Sequence, residues 1–316
     1  MTLIQNILVG VDLRHGDRLA SSDLGAESQA AVGEALRLAA TWEGTLTFCS
    51  VLELSAQSQS LIEHDRENIL KTVEDIANQV LVKLVNHANE RGIASESILR
   101  FGAAGEELSK ESATGEYDLA IVGTRSKLRA TSMLFGGTAQ KLMRFAPCPV
   151  WVVKPAELRD VRDVAIATDL SPASLPAFEV AVTVARATGA RLHVLHVLEL
   201  DDLRYLAMAG VAEEELARTE ARLRQTADEK LREQLHQTDF RTLPYGVKIE
   251  YLSGAPDSAI PEFVLTNGID LLVMGTHGRN RLSGILLGNT AEQVLPGLHA
   301  SLMVVKPVGF NSPYAI

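Results

Sequence analysis

The chain has 316 residues, 46% of them hydrophobic and 22% charged, with a formal net charge of −10. That length suits two domains that each bury a core, and the composition excludes a disordered chain. Half of the basic and half of the acidic residues precede residue 158, so both halves are mildly acidic without a basic stripe, which argues against nucleic acid as a partner.

Residues 7–11 form an apolar run with no basic segment before it, and Asp12 ends it. It reads as a first strand and not as a signal peptide. No uncharged apolar run approaches the roughly 18 residues of a membrane helix, so no membrane association is expected and the expected compartment is the cytoplasm. A second strand is expected over 46–52. Ile69, Val73, Ile76, Val80 and Leu84 then lie on one face of a helix. Strands follow over 97–101, 119–122 and 150–153. Cys49 and Cys148 have no metal-ligand spacing and are too few for a disulfide scaffold, so both read as small buried hydrophobes.

The second half repeats this order. Residues 164–168 form a strand followed by Asp169-Leu170-Ser171-Pro172, in which Ser171 is expected to cap a helix with Pro172 at its first position. That helix carries Phe178, Val182 and Ala185 and stops at Gly189. Further strands are expected over 192–198, 247–252, 271–274 and 301–305. Helices are expected over 213–235, with a stripe of Leu216, Leu223, Ala227 and Leu231, over 261–267, and from Thr290. Asp12 and Asp169 are equivalent positions, as are Gly123 and Gly275. Strands alternating with helices predict an α/β protein of two tandem doubly wound, Rossmann-like domains, each a parallel sheet flanked by helices. The expected domains are 1–157 and 158–316.

In such sheets ligands bind beyond the C-terminal ends of the strands, where the strand order reverses. The second half has Val273-Met274-Gly275-Thr276-His277-Gly278 there, then nine residues, then Gly288-Asn289-Thr290. Gly275 and Gly278 let backbone N–H groups approach a phosphate, and Gly288-Asn289-Thr290 opens a helix whose free N–H groups attract an anion. Asn289 and Thr290 add side-chain hydrogen bonds, Asp169 can accept from ribose hydroxyls or the adenine edge, and Val197 can flank a base. Spacing alone leaves a second reading open, in which the glycines only turn the chain and Asp169 only caps a helix. His277 reads as an exposed turn histidine, and His193 and His196, three apart on a strand, face opposite sides and cannot share a metal. No metal site is expected. HExxH, CxxC and Walker-lysine patterns are absent from the sequence, as are the Ser-Gly-Gly-x-Asp-Ser loop of pyrophosphatases and the His-Ile-Gly-His motif of nucleotidylyl transferases.

Gly275, Gly278 and Gly288 fit the pattern Gly-x2-Gly-x9-Gly, Thr168-Asp169-Leu170-Ser171 ends the first strand of this half, His196-Val197 ends the second, and Leu302-Met303-Val304-Val305-Lys306-Pro307 is the last. In these features the chain resembles the universal stress proteins, in their tandem two-domain form, over nearly its whole length. The resemblance implies five-stranded parallel sheets of order 3-2-1-4-5 and bound ATP, with ADP and AMP as other candidates and Mg²⁺ as an optional companion. It would place Thr168, Asp169, Val197, Met274, Gly275, Gly278, Gly288, Asn289 and Thr290 around the nucleotide. It also implies pairing through the last strands, here an internal pseudo-dimer of the two domains, with a homodimer as a further option.

The chain departs from the family pattern in three places. Asn289 stands where Ser or Thr is usual. In the first half Ser126 replaces the second glycine and Gly137 replaces the hydroxyl residue, so the first site is expected to bind nucleotide weakly or not at all. The basic residues Arg125, Lys127 and Arg129 read as a solvated loop. The expected function is a stress-response protein that holds an adenine nucleotide in its second half as a regulatory ligand and is not an enzyme. The alternatives are a nucleotide-independent interaction scaffold and a slow ATPase, with protein partners unspecified in both cases.

Overall fold

The computed structural model describes residues 4–14, 20–53, 66–124, 135–155, 160–198, 200–276 and 287–315, with only the backbone for 66–70, 201, 202 and 204. Two compact units divide the chain, one built from most of the first half together with the C-terminal residues from Phe310, and one from Asp160–Gly309.

The first unit contains β1 (Asn6–Val11), α1 (Ala26–Trp42), β2 (Thr45–Leu52), α2 (Arg66–Asn89), β3 (Ser95–Phe101), α3 (Ala104–Thr114), β4 (Leu119–Gly123), α4 (Gly137–Phe145) and β5 (Val150–Val153). Its strands run in the order β3-β2-β1-β4-β5, every described pair parallel. The central strands are buried along nearly their whole length, because helices cover both faces of the sheet. That double cover is why they read in sequence as unbroken apolar runs. Edge strand β3 is partly exposed and correspondingly polar. Ala77, Val80, Leu81 and Ala88 make the buried stripe of α2.

The second unit contains β6 (Asp163–Ala167), α5 (Leu175–Thr188), β7 (Arg191–Leu198), α6 (Asp201–Met208), α7 (Glu213–His236), β8 (Val247–Ser253), α8 (Pro256–Thr266), β9 (Leu271–Gly275), α9 (Asn289–Val294) and β10 (Ser301–Val305). Its order is β8-β7-β6-β9-β10, again all parallel. The two units therefore share the doubly wound topology that the resemblance implied.

The repeat extends to single side chains. Asp118 Oδ2 accepts the backbone N–H groups of Gln5 and Asn6, both at 2.9 Å. Asp270 Oδ2 accepts those of Arg162 and Asp163 at 2.8 and 3.0 Å. Each aspartate ties the start of the central strand to the strand beside it.

Three local expectations are corrected. Helix α8 starts at Pro256 and runs through Pro261, so the earlier proline takes the first position that suits this residue. Ser171 precedes a short 3₁₀ turn, Pro172–Ser174, and makes no side-chain capping bond; α5 begins at Leu175. Leu223 is exposed, because only the C-terminal half of α7, with Ala227, Leu231 and Leu235, lies against the core. The last helix starts at Asn289 with Gly288 as its N-cap, in line with the expected opening over Gly288-Asn289-Thr290. Gly189 ends α5 at φ 65°, as expected.

Candidate functional site

In the second unit the strand order reverses between β6 and β9. Ala167, at the end of β6, pairs with Met274, and Gly275 closes β9. Thr168 and Asp169 leave one strand as Thr276 leaves the other, and the Thr276 N–H donates to Val305 O at 3.0 Å. The crevice of a doubly wound sheet lies at these strand ends.

The turn after β6 is held by a buried polar network. Thr168 is buried, and its Oγ1 accepts the Leu170 N–H at 3.0 Å and shares a hydrogen bond with Ser174 Oγ, also at 3.0 Å. Asp169 Oδ1 accepts the Ser171 N–H at 2.9 Å. Ser174 Oγ donates to Ser171 O at 2.7 Å. From α7, Gln234 Nε2 donates to Ser171 O at 2.8 Å and to Ser174 Oγ at 3.1 Å. From β7, His196 Nδ1 donates to the Thr168 carbonyl at 2.9 Å, since a carbonyl oxygen only accepts. The arrangement holds Leu170 at φ 62°, a left-handed conformation that a branched side chain rarely adopts. Ser171 Oγ and Gln234 Oε1 are buried with no hydrogen-bond partner among the described residues.

The far side of the glycine-rich stretch closes back on its start. Gly288 has φ 89°, and a Cβ built on it would lie 2.3 Å from Thr276 O. Only glycine satisfies both the conformation and the contact. Residues 276 and 288 are thereby pinned together beside the end of β6. Helix α9 has only six residues, so the donors at this junction are its first backbone N–H groups more than an extended helix dipole.

The structure thus brings Thr168, Asp169, Met274, Gly275, Gly288 and Asn289 to one end of the sheet. Val197, half-buried, lies at the same end of β7. Asn289 and Thr290 are exposed. Gly278 and His277 fall outside the described residues. The hydroxyl of Thr168 is already committed to the turn. Sequence reading missed Gln234 and Ser174; the available signal was a glutamine on the otherwise apolar buried face Ala227, Leu231, Leu235.

The first unit repeats part of this arrangement. Asp12 Oδ1 accepts the Arg14 N–H at 3.0 Å, the same turn as at Asp169. There the guanidinium folds back onto the aspartate, Nε to Oδ1 at 3.2 Å, and reaches Glu53 with Nη1 to Oε2 at 2.9 Å. Arg14 thereby bridges the ends of β1 and β2. Gly123 packs against the backbone of Glu27, where a Cβ would stand 2.2 Å from the carbonyl oxygen. Gly136 has φ −63° and open space at its Cβ position, so the pinned glycine of the second unit has no equivalent at this residue. Ser126 and the residues Arg125, Lys127 and Arg129 lie outside the described residues. No group of three or more His, Cys, Asp or Glu side chains placed to hold a metal occurs among the described residues.

Comparison with known proteins mirrors the repeat. The profile of the Universal stress protein family matches residues 4–154 and again residues 161–306. Universal stress protein E of Photorhabdus laumondii is 24% identical over 321 residues, covering 99% of this chain and 98% of that protein. A universal stress protein of Methanocaldococcus jannaschii is 34% identical over 149 residues, covering 46% of this chain and 82% of that protein. The crystal structure of a universal stress protein from Archaeoglobus fulgidus superposes with a TM-score of 0.67 at 21% identity, covering 95% of this chain and 98% of that one.

Proposed function

This chain belongs to the universal stress protein family, and we propose that it binds an adenine nucleotide, ATP first among them, in the crevice of its second unit. One observation carries this reading. Gly288 is held at φ 89° against Thr276 O, at the strand ends where Asp169 also lies. A Cβ would collide with that carbonyl, so glycine is what lets the chain close there and start α9 beside the strand ends, and free backbone N–H groups at such a junction are how phosphates are held. Asp169 supplies an acceptor for ribose hydroxyls or the adenine amine, and Val197 an apolar flank for the base.

The nucleotide acts as a regulatory ligand and not as a rapidly consumed substrate. The described groups at the crevice are backbone amides, neutral side chains and one carboxylate. These bind and orient a nucleotide, and none of them is a clamping lysine for a transferring phosphoryl group. Binding to the folded state alone stabilises it by about 2.7 kcal/mol at a hundredfold excess of ligand over Kd. No described helix is long and apolar enough to cross a membrane, and the proposed compartment is the cytoplasm.

The test is a count of nucleotide per chain. Purified protein is denatured and the released small molecules are separated against ATP, ADP and AMP, and ATP is then titrated into stripped protein by calorimetry. One nucleotide per chain, lost in Gly288→Val, is the expected result. No nucleotide and no thermal shift in millimolar ATP would favour the scaffold reading. Steady ADP formation above background would make the chain an ATPase.

A further inference from the structure

We infer that Gln234, on the long helix α7, is a positioning residue for the nucleotide crevice, coupling that helix to the turn that carries Asp169. The inference rests on the nucleotide reading and adds to it a residue far away in sequence. Gln234 is 7% exposed and lies 63 residues from Ser171, yet it donates to Ser171 O at 2.8 Å and to Ser174 Oγ at 3.1 Å. Ser174 Oγ in turn meets Thr168 Oγ1, which holds Leu170 at its positive φ and so fixes the direction in which Asp169 leaves β6. The path is an unbroken chain of hydrogen bonds from α7 through Ser174 and Thr168 to the peptide after Asp169.

Two features argue that this network serves binding and not only folding. First, it is incompletely satisfied: Gln234 Oε1 and Ser171 Oγ are buried without a hydrogen-bond partner among the described residues. A network kept for stability alone would do as well or better as an apolar contact, because a half-satisfied buried polar group costs free energy. Second, the two units provide an internal control. In the first unit the position of Thr168 is taken by Val11, which has no hydroxyl, and Leu13 has no positive φ. The first unit keeps a buried serine at this turn, Ser28, whose Oγ bonds the Asp12 N–H and carbonyl at 3.0 Å, but it lacks the Thr168 hydroxyl through which Ser174 and Gln234 reach Leu170 in the second.

Most of α7 is exposed, including the ion pairs Arg218–Glu214 and Arg232–Asp228 at 2.7 and 2.8 Å. Any shift of its C-terminal half moves Gln234 and relaxes the turn, so nucleotide affinity and the position of α7 are linked. By reciprocity, nucleotide binding biases α7 by the same factor.

The test compares Gln234→Leu with wild-type protein in two readouts, ATP affinity by calorimetry and melting temperature without nucleotide. The expected result is a loss of roughly tenfold in ATP affinity, the scale of one lost hydrogen bond, with a ligand-free melting temperature equal to or above that of wild type. Ser174→Ala should reproduce the affinity loss. Equal ATP affinity in Gln234→Leu and wild type would overturn the inference. A fall in ligand-free melting temperature, with ATP affinity of the remaining folded protein unchanged, would reduce Gln234 to a structural residue and also overturn it. Wild-type protein that binds no ATP would refute the nucleotide reading itself, a result distinct from either of these.

Discussion

Asp12 and Asp169 close the same turn in the two halves of the chain, each accepting the backbone N–H two residues ahead, from Arg14 at 3.0 Å and from Ser171 at 2.9 Å. Around that shared bond the two halves diverge. In the second unit the residue before the aspartate is Thr168, whose hydroxyl catches the Leu170 N–H and draws Leu170 to φ 62°. In the first unit it is Val11, and the carboxylate is engaged by the Arg14 side chain instead. Both turns are held by hydroxyls, Thr168 in one and Ser28 in the other, and only the first unit's aspartate carries a guanidinium on its carboxylate.

Replacing Thr168 with valine puts the first unit's residue into the second. The side chains are nearly the same size, but Leu170 N–H and Ser174 Oγ each lose a partner in a buried place. The cost should be about 1–3 kcal/mol in urea unfolding, the range for leaving buried polar groups unpaired. Leu170 would also lose the bond that holds its strained backbone, so ATP affinity should fall with stability. A fully stable Thr168→Val protein with unchanged ATP binding would show that the turn holds itself.

Gly288 and Gly136 occupy matching places and should respond in opposite ways to the same change. Gly288→Ala adds a Cβ at φ 89° and 2.3 Å from Thr276 O, so the backbone there must shift. A cost of roughly 2–3 kcal/mol is expected together with loss of ATP binding. Gly136→Ala meets open space at φ −63° and should be neutral or slightly stabilising. Differential melting curves of the two variants decide the matter, and equal curves would mean that the Gly288 contact is unimportant.

Much of this architecture was legible because a parallel sheet covered on both faces writes itself as short apolar runs. Leu119–Gly123 and Leu271–Gly275 are examples, each with a glycine where the chain turns at the strand end. Helix α6 was not legible. Its large apolar residues Tyr205, Leu206 and Met208 are exposed, so no buried stripe marks it. Asp169 and Gly288 could be found because spacing along one chain segment fixes them relative to a strand end. Gln234 could not, since only folding brings α7 to Ser171. The role of Arg14 was hidden for the same reason: its partner Glu53 lies 39 residues away.

The two thiols should be chemically silent in the folded protein. Cys49 and Cys148 are both buried, and burial pushes each thiol up to about 12. Thiolate is the reactive form, so almost none is present at pH 8. A colorimetric disulfide reagent should find no reactive thiol in native protein and two per chain in denaturant. Prompt reaction of either without denaturant would mean that its part of the sheet opens freely.

Acid should act on the start of β6. There Asp163 accepts Arg191 Nε and Nη2 at 2.7 and 2.6 Å and contacts His193 Nε2 at 3.1 Å. Burial alone would raise its carboxyl, but the Arg191 fork and His193 more than offset this and hold it below the ordinary value of 3.8. A carboxyl depressed in the folded state contributes stability that is complete above its unfolded value and is lost as pH falls through the folded one. The network's contribution should therefore be intact at neutral pH and decline only below about pH 4. The first unit already carries the neutral version of this pair: Asn6 stands in the place of Asp163 and accepts from Thr45 Oγ1 at 3.0 Å. Asp163→Asn should cost about 1–2 kcal/mol at pH 7, a modest figure because Arg191 is largely exposed. The difference from wild type should shrink as pH falls below 4, while Asn6→Asp, which faces Thr45 and not a guanidinium, should gain no stability at neutral pH. Urea unfolding of the three proteins between pH 3 and pH 7 would check this, and an Asp163→Asn difference that stayed constant with pH would assign the cost to packing and not to charge.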